Sequence, residues 1–581
     1  MSQPLRIVPD EPFPEVGTAF HTALSDDGQW LAVVGYLGGA FSRSRVVDLP
    51  HGSRPAPRVL VYRRADLSYH RTVAVPGESV ETLAFHPTLP LLAVGTDEGD
   101  EYARHGTLLL ADVVTGRQAR VVCADAGVAA LRWRDGDTLD VLLAEADHDL
   151  ASEGLIRYAE SAVPRPPSGD WLTLGPEPAG ATGSPDSREP APLDARRPAA
   201  PDWESRLPEV AVQARHAELR ELATADGRDW RARRAVWAVA GLRDGRVLAA
   251  REDNLLECWS PEGRRMWTVP PPAESFQYVG LQLQVTPDER TARVTVATGT
   301  SDDRRSTVLA VSLADGSVRT EHRLRYPALL TARADGVWAA RDTCELFPAP
   351  PSWSPSATLL FAPDGTPLGA VPLGHYDPRT ELTVRRAPDL YALVVRDRPA
   401  PPGTEADVTE AGISAGGSYA YAAEQARLAR QETWLARVTP GERNAPGAVE
   451  PLFPLGPRTA VRGGPAVYVD DAAGPALILA TADSGTPRLT RRSLPHGEPT
   501  WSLPTDSAIA GLDLHANTLY AATATGDLLT LSPTTGTLHA HHPLTSPGGH
   551  PFTPLTLTTT VAGDVVIGTL EGRLLVRGVS A

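Results

Sequence analysis

One recurring unit constrains this fold more than any other feature: an apolar alternating strand, a polar turn, a second strand, then two more strands joined by Asp-Gly, Thr-Gly or Pro-Glu-Gly. Its cleanest copy is Val80 to Val122, where Val80 to Thr96 gives two strands around His86-Pro87 and Gly106 to Val122 gives two around Thr115-Gly116. Further copies open at Phe20 to Tyr36, fill Ala235 to Val269 and Ile509 to Leu544, and begin near Val128, Val279, Leu329, Leu382 and Ala466. The last, Pro554 to Gly578, stops after three strands, so its fourth is expected from Leu5 to Val8 at the other terminus.

A lone four-stranded sheet exposes two faces and two edges, and stacking such sheets around an axis buries them. The expected fold class is therefore all-β: a β-propeller of four-stranded antiparallel blades, one large ring closed by an N-terminal strand. About ten units can be discerned, against the usual four to eight blades. An eight-bladed ring with some units demoted to insertions, or two fused rings, would also fit. One ring is preferred because the first three units could hardly close by themselves. The expected division is residues 1–175 for those three units, 176–231 for an insertion and 232–581 for the remaining blades. Within the insertion, Gly175 to Asp202 is rich in Gly, Pro, Ala and acids and has nothing to bury, which predicts a disordered loop. Val212, His216, Leu219 and Ala223 then fall at helical spacing and predict a short amphipathic helix that covers an edge.

Charge removes several functions. The formal net charge of −16 opposes a phosphate backbone, so nucleic acid is not an expected partner. All 55 basic residues are arginine, which excludes a Walker-type phosphate lysine, a Schiff-base lysine and a kinase lysine. The scarcity of Asn, Ile and Met traces the missing lysine to a GC-rich genome rather than to escape from lysine-tagging enzymes. Residues Met1 to Glu15 lack the basic start and apolar core of a signal peptide, and no apolar run reaches the roughly 20 residues that span a bilayer. Cys123, Cys258 and Cys344 are few and far apart, expected as buried thiols in a reducing cytoplasm.

At Val80 to Val122, and at Leu256 to Gly263 where a third strand ends in Trp, the chain resembles WD40-type propeller proteins. Arg488 to Pro504 and Arg264 to Trp267 are similar instead to quinoprotein-type repeats, in which a Gly turn leads into a strand carrying Trp. The Gly-His pair and the buried Asp/His/Ser/Trp network of WD40 units are not repeated, so no subfamily is named. The resemblance implies a rigid platform for protein assembly in a bacterium, of a GC-rich actinobacterial kind.

In such a blade the turns between strands a and b and between c and d share one face, and the b-to-c loops and blade crossings share the other. Here the a-to-b turns are tight, as at Asp26-Asp27-Gly28, Asp135-Gly136-Asp137 and Arg243-Asp244-Gly245. The b-to-c segments swell at Leu37 to Arg58, Asp97 to His105, Glu145 to Glu153, Asp342 to Ser356 and Asp397 to Glu432. Function is expected on that loop-rich face. Two neighbouring loops are acidic: Asp97, Glu98, Asp100 and Glu101 in one, Glu145, Asp147, Asp149 and Glu153 in the next, with His105 and His148 nearby. They would suit a basic protein segment or a hard cation, although no calcium-loop spacing is met and solvated loops are the plainer reading. His539, His541 and His542 lack a Cys or carboxylate at close spacing and are expected on a polar outer strand. The segment Asp397 to Glu432 contains Ala415-Gly416-Gly417-Ser418 and a helix-like Tyr421 to Gln431, a conceivable lid or partner-binding helix, but no phosphate loop.

The expected function is a cytoplasmic, non-catalytic propeller scaffold binding proteins through its loop-rich face, with no cofactor, catalytic residue, metal or membrane partner. A bacterial multi-component system, ATPase-associated or of defence or regulatory type, is the expected setting. The alternative is a propeller enzyme with a metal or quinone site over the central channel, lactonase-like or dehydrogenase-like. Missing export signals and adjacent cysteines count against the quinone form.

Overall fold

The computed structural model describes residues 5–36, 57–99, 104–145, 171–174, 208–251, 254–272, 282–298, 305–342, 357–373, 382–397, 430–458, 461–483 and 486–578, apart from positions 10, 75–77, 124–125, 226, 228–229, 325–327, 442–446, 462 and 548. The expected loop 175–202, the b-to-c segments 37–56, 146–153 and 343–356, most of 397–432 and the helix-like stretch 421–429 lie outside them.

Ten small sheets follow one another along the chain, as the repeat count anticipates. Seven of them close on themselves. The innermost strands Val236–Gly241, Leu283–Val285, Ala328–Ala332, Thr383–Arg385, Pro465–Asp471, Ile509–His515 and Pro554–Thr559 touch in sequence, and the seventh returns to the first. Seven apolar clusters fill the seven gaps between these blades. One of them joins Val236, Val239, Val247, Ala249 and Trp259 of blade 1 to Val566 and Leu574 of blade 7. Blade 7 contributes Pro554–Thr559, Val565–Thr569 and Leu574–Arg577, and Arg6–Val8 adds the fourth strand antiparallel to the last of these, with Ile7 opposite Leu575. The propeller class, the four-stranded antiparallel blades and closure by the N-terminal strand are thus as the sequence implies.

The size of the ring is corrected. A ring of all ten units would place the first three sheets between blades 7 and 1, but those two blades pack directly on each other. The three sheets are instead inserted between the closing strand and blade 1 as a separate stack. The first comprises Thr18–Leu24, Trp30–Tyr36, Arg58–Arg63 and Tyr69–Ala74; the second Ser79–Phe85, Leu91–Gly99, Arg104–Asp112 and Gln118–Cys123; the third Ala126–Trp133, Leu139–Glu145 and Trp171–Leu174. Because side chains alternate between faces, the first sheet turns Ala32, Val34, Val59 and Val61 to the second. It turns Leu31, Val33, Leu60 and Tyr62 the other way, onto Phe13, Val16, Leu219, Ala223 and Trp230. That second cover includes the helix Pro208–Ala225, which lies on the innermost strand and holds it through His216 Nε2, accepting from the Ala19 amide at 3.1 Å. The helix falls where the His216, Leu219 and Ala223 spacing places it, but it covers a face of the first sheet rather than an edge.

A local substitution marks the same boundary. In the ring, a bulky side chain from strand d docks beneath the glycine of the next blade's c-to-d turn: Trp267 under Gly316 and Trp501 under Gly536, where an added Cβ would stand 3.0 and 2.7 Å from the indoles. The Trp501 indole N–H also donates to the Pro533 carbonyl of that turn, at 2.9 Å. Ala314-Asp315-Gly316-Ser317 has a counterpart in the first stack sheet, Ala65-Asp66-Leu67-Ser68, and in each the Ser amide donates to the Asp carboxylate at 3.0 Å. Leu67 holds the glycine's positive φ, at 53°, and is itself buried in the cap. No preceding blade docks there, and the leucine fills the place.

Candidate functional site

Asp97 pairs opposite Ser79 at the end of that ladder, and its carboxylate packs on Gly127 of the neighbouring sheet, where a Cβ would collide with it. Glu98 pairs across from His105, Gly127 across from Ala144, and Glu145 across from Ala126. The bases of the two acidic loops therefore spring side by side from adjacent sheets at the same end. Asp100, Glu101, Asp147, Asp149, Glu153 and His148 lie outside the described residues. His105 is exposed.

His539 and His541 are exposed on Leu538–Pro543, the outermost strand of blade 6. His541 meets a carboxylate after all, Asp527 at 2.8 Å, brought from strand c by the antiparallel pairing. Among the described residues no three His, Cys, Asp or Glu side chains are grouped to hold a metal ion. Cys258 is buried between blades 1 and 2; Cys344 and the Cys123 side chain lie outside the described set. Among the described residues no helix is long and apolar enough to cross a membrane.

Two polar clusters escape the sequence reading. The first crosses the channel. In blade 4 the strand Thr383–Arg385 leaves its own sheet and pairs in parallel with Pro465–Val467 of blade 5. This carries Arg385 and Arg386 over the axis. Arg385 donates to Thr558 Oγ1 of blade 7 at 3.1 Å and to the Val239 carbonyl of blade 1 at 3.3 Å. Arg386 donates to Asp513 of blade 6 at 3.0 Å and to Thr559 at 3.2 Å. Burial pushes the Asp513 carboxyl up, but Arg385, Arg386 and the amides of Thr559 and Leu514 more than offset this and hold it below its usual range. All these residues lie toward the a-to-b turn end of the inner strands. The strand displacement coincides with a cavity of about 30 Å³ between blades 3 and 4, lined by Thr331, Arg341, Thr358 and Tyr391 among others. That volume suits ordered water rather than a substrate.

The second cluster joins stack to ring on the face that carries the blade crossings. Glu11 accepts from Arg233 at 2.5 Å and from Arg573 at 2.9 Å, and Arg58 of the first stack sheet pairs with Glu571 of blade 7 at 2.9 Å. Glu15, beneath it, accepts from the Tyr62 hydroxyl at 3.0 Å, and burial raises its carboxyl pKa. Thr72 of the stack meets His550 of the ring at 3.2 Å; burial and then Arg58 press that imidazole down to about 3, keeping it neutral. Buried opposite charges of this density fix one geometry more than they add stability.

No protein-family model matches this chain, and no curated protein does. Among solved structures it is similar to the WD40 β-propeller domain of Doa1, with a TM-score of 0.36 and 11% identity over 60% of this chain and 93% of that one. It is also similar to the computationally designed Ika8 protein, with a TM-score of 0.34 and 12% identity over 86% and 96%. Neither similarity bears on what this chain binds.

Proposed function

We propose that this chain is a non-catalytic scaffold that binds protein partners on its surface, with the acidic loops at Asp97, Glu98, Asp100, Glu101, Glu145, Asp147, Asp149 and Glu153 as a docking site for a basic segment. The observation that carries the reading is the bridged axis. The carboxylate and hydroxyls that would act on a channel-bound substrate, those of Asp513, Thr558 and Thr559, are spent on Arg385, Arg386 and one another. Among the described residues, two cavities of about 30 and 20 Å³ lie between blades and are of a size for ordered water. Long b-to-c segments on a rigid frame are the usual place for recognition instead, and the side-by-side bases of the two acidic loops support their acting together.

The test is anisotropy with fluorescein-labelled hexa-arginine at moderate salt. Changing Asp97, Glu98 and Asp100 to Ser is expected to weaken binding at least fivefold. Changing Asp244, Asp335 and Asp364 to Ser, which removes equal charge from the tight-turn face, is expected to change it less than twofold. Equal losses would reduce the loops to general electrostatics. A stoichiometric metal by elemental analysis, or quinone absorbance, in the purified protein would overturn the non-catalytic reading.

A further inference from the structure

We infer that the turn-face mouth of the ring channel is a second docking site, in which Arg386, backed by Arg385, grips a single carboxylate presented by a segment of a protein partner. It stands independently of the acidic loops.

Among the described residues, the bridge across the mouth holds two guanidinium groups and one carboxylate. Asp513 is buried beneath them, its side chain 2% exposed, whereas Arg385 and Arg386 are 28% and 49% exposed. From solvent the axis therefore presents cation. Asp513 is also saturated: besides the arginines it accepts from the Thr559 amide and hydroxyl, the Thr558 hydroxyl and its neighbour's amide on Leu514. Arg386 commits Nε to Asp513 and Nη2 to Thr559, and its Nη1 has no partner among the described residues. An outward guanidinium edge matches a carboxylate geometrically, where a lysine ammonium would offer only a point charge.

Two further features concern the backbone and the surroundings. Arg386 sits at φ 62°, in the left-handed region that disfavours a non-glycine residue and is found at ligand clamps. A glycine would fit that backbone better, yet the position carries the cation. On the tight turns of blades 1 to 3, Asp244, Asp288 and Asp335 stand exposed but are paired with Arg246, Arg290 and Arg333 of the same turns at 2.6, 4.0 and 2.6 Å. With these turn charges matched to one another, the arginine pair at the axis is the cation left for a ligand, so the fitting segment carries one acid between basic or neutral residues.

The probe is a fluorescein-labelled Gly-Arg-Asp-Arg-Gly peptide, compared by anisotropy with the same peptide bearing Asn in place of Asp. The full chain is expected to bind the Asp peptide at least tenfold more tightly. Arg386→Gly is expected to fold, since glycine suits its φ, and to reduce that preference to twofold or less. Arg386→Asn, which also tolerates a positive φ, repeats the test should the glycine variant melt early. Equal binding of the two peptides to the unaltered chain, or an undiminished preference in both variants, overturns the proposal. Inorganic phosphate displacing the peptide at an equal or lower concentration than unlabelled peptide also overturns it, because the mouth would then be a small-anion site.

Discussion

The ring and the stack are written in the same four-strand grammar, yet only the ring closes. A ring blade has another blade on each face, so seven apolar clusters complete one another and no end is left to cap. The stack has two ends, and each is closed by a different device. Its first sheet is sealed by Phe13, Val16, Leu219, Ala223 and Trp230. Its third turns outward a mixed face, where Ala130 and Leu142 are buried beside Asp140, which pairs with Arg132 and Arg134 at 2.8 and 2.7 Å. Stacked repeats need such capped termini to stay soluble. The difference shows that a repeat's sequence specifies a blade, while whatever lies against its free face decides whether it joins a ring.

Removing the ring's closing strand should have the largest effect. Deleting residues 1–8 leaves blade 7 with three strands and an open edge at Leu574–Arg577. It is expected to lower the ring's calorimetric transition by more than 10 °C, on the order of several kcal/mol for a lost strand and its burial. Cap removal comes next and should fall on the stack. Trp230→Ala empties a fully buried site against Phe13 and is expected to cost about 3–5 kcal/mol. Hydrogen exchange should show the loss in the first stack sheet and the helix Pro208–Ala225, with blades 3 to 5 unchanged.

The turn glycines sharpen the comparison. Gly536→Leu asks a leucine to adopt φ 72° where Trp501 already sits, and is expected to cost at least about 3 kcal/mol. Leu67→Gly removes strain but also a buried side chain, and is expected to destabilise by only about 1–2 kcal/mol. Equal costs in urea titrations would mean that Leu67 is not an end marker.

Much of this was legible from residues alone. Alternation and Asp-Gly turns give the blades, the short last unit gives its completion by Leu5 to Val8, and His216, Leu219 and Ala223 give the helix. Ring membership was not legible, because Leu31 and Val33 are as apolar as any blade face and do not say whether a blade or a helix covers them. The Leu67 substitution was a visible signal that the pattern of turns alone did not weigh. The channel bridge was hidden for another reason: Arg386 and Asp513 are 127 residues apart, and only the parallel pairing of Thr383–Arg385 brings them together.

A further expected effect concerns pH at the cap. Burial, then Arg234 and Arg220, lower the His216 pKa from 6.5 to about 4, so the folded chain resists a proton that the unfolded chain accepts. Stability should therefore fall as pH drops from about 6.5 toward 4, with the unfolded state binding more protons across that window. His216→Gln is expected to flatten the fall in the stack's melting temperature between those limits, relative to the unaltered chain. A parallel slope in both would assign the dependence to other groups.

The central claim, that blade 7 meets blade 1 with the stack outside, is tested most directly by methyl NOEs in selectively labelled protein. Val236 and Val239 of blade 1 share one buried cluster with Val566 and Leu574 of blade 7, so NOE cross-peaks are expected between the methyls of these two pairs. In a ten-blade ring three sheets would separate them. Assigned methyls of Val236 and Val239 that show no NOE to Val566 or Leu574 would contradict the seven-bladed closure.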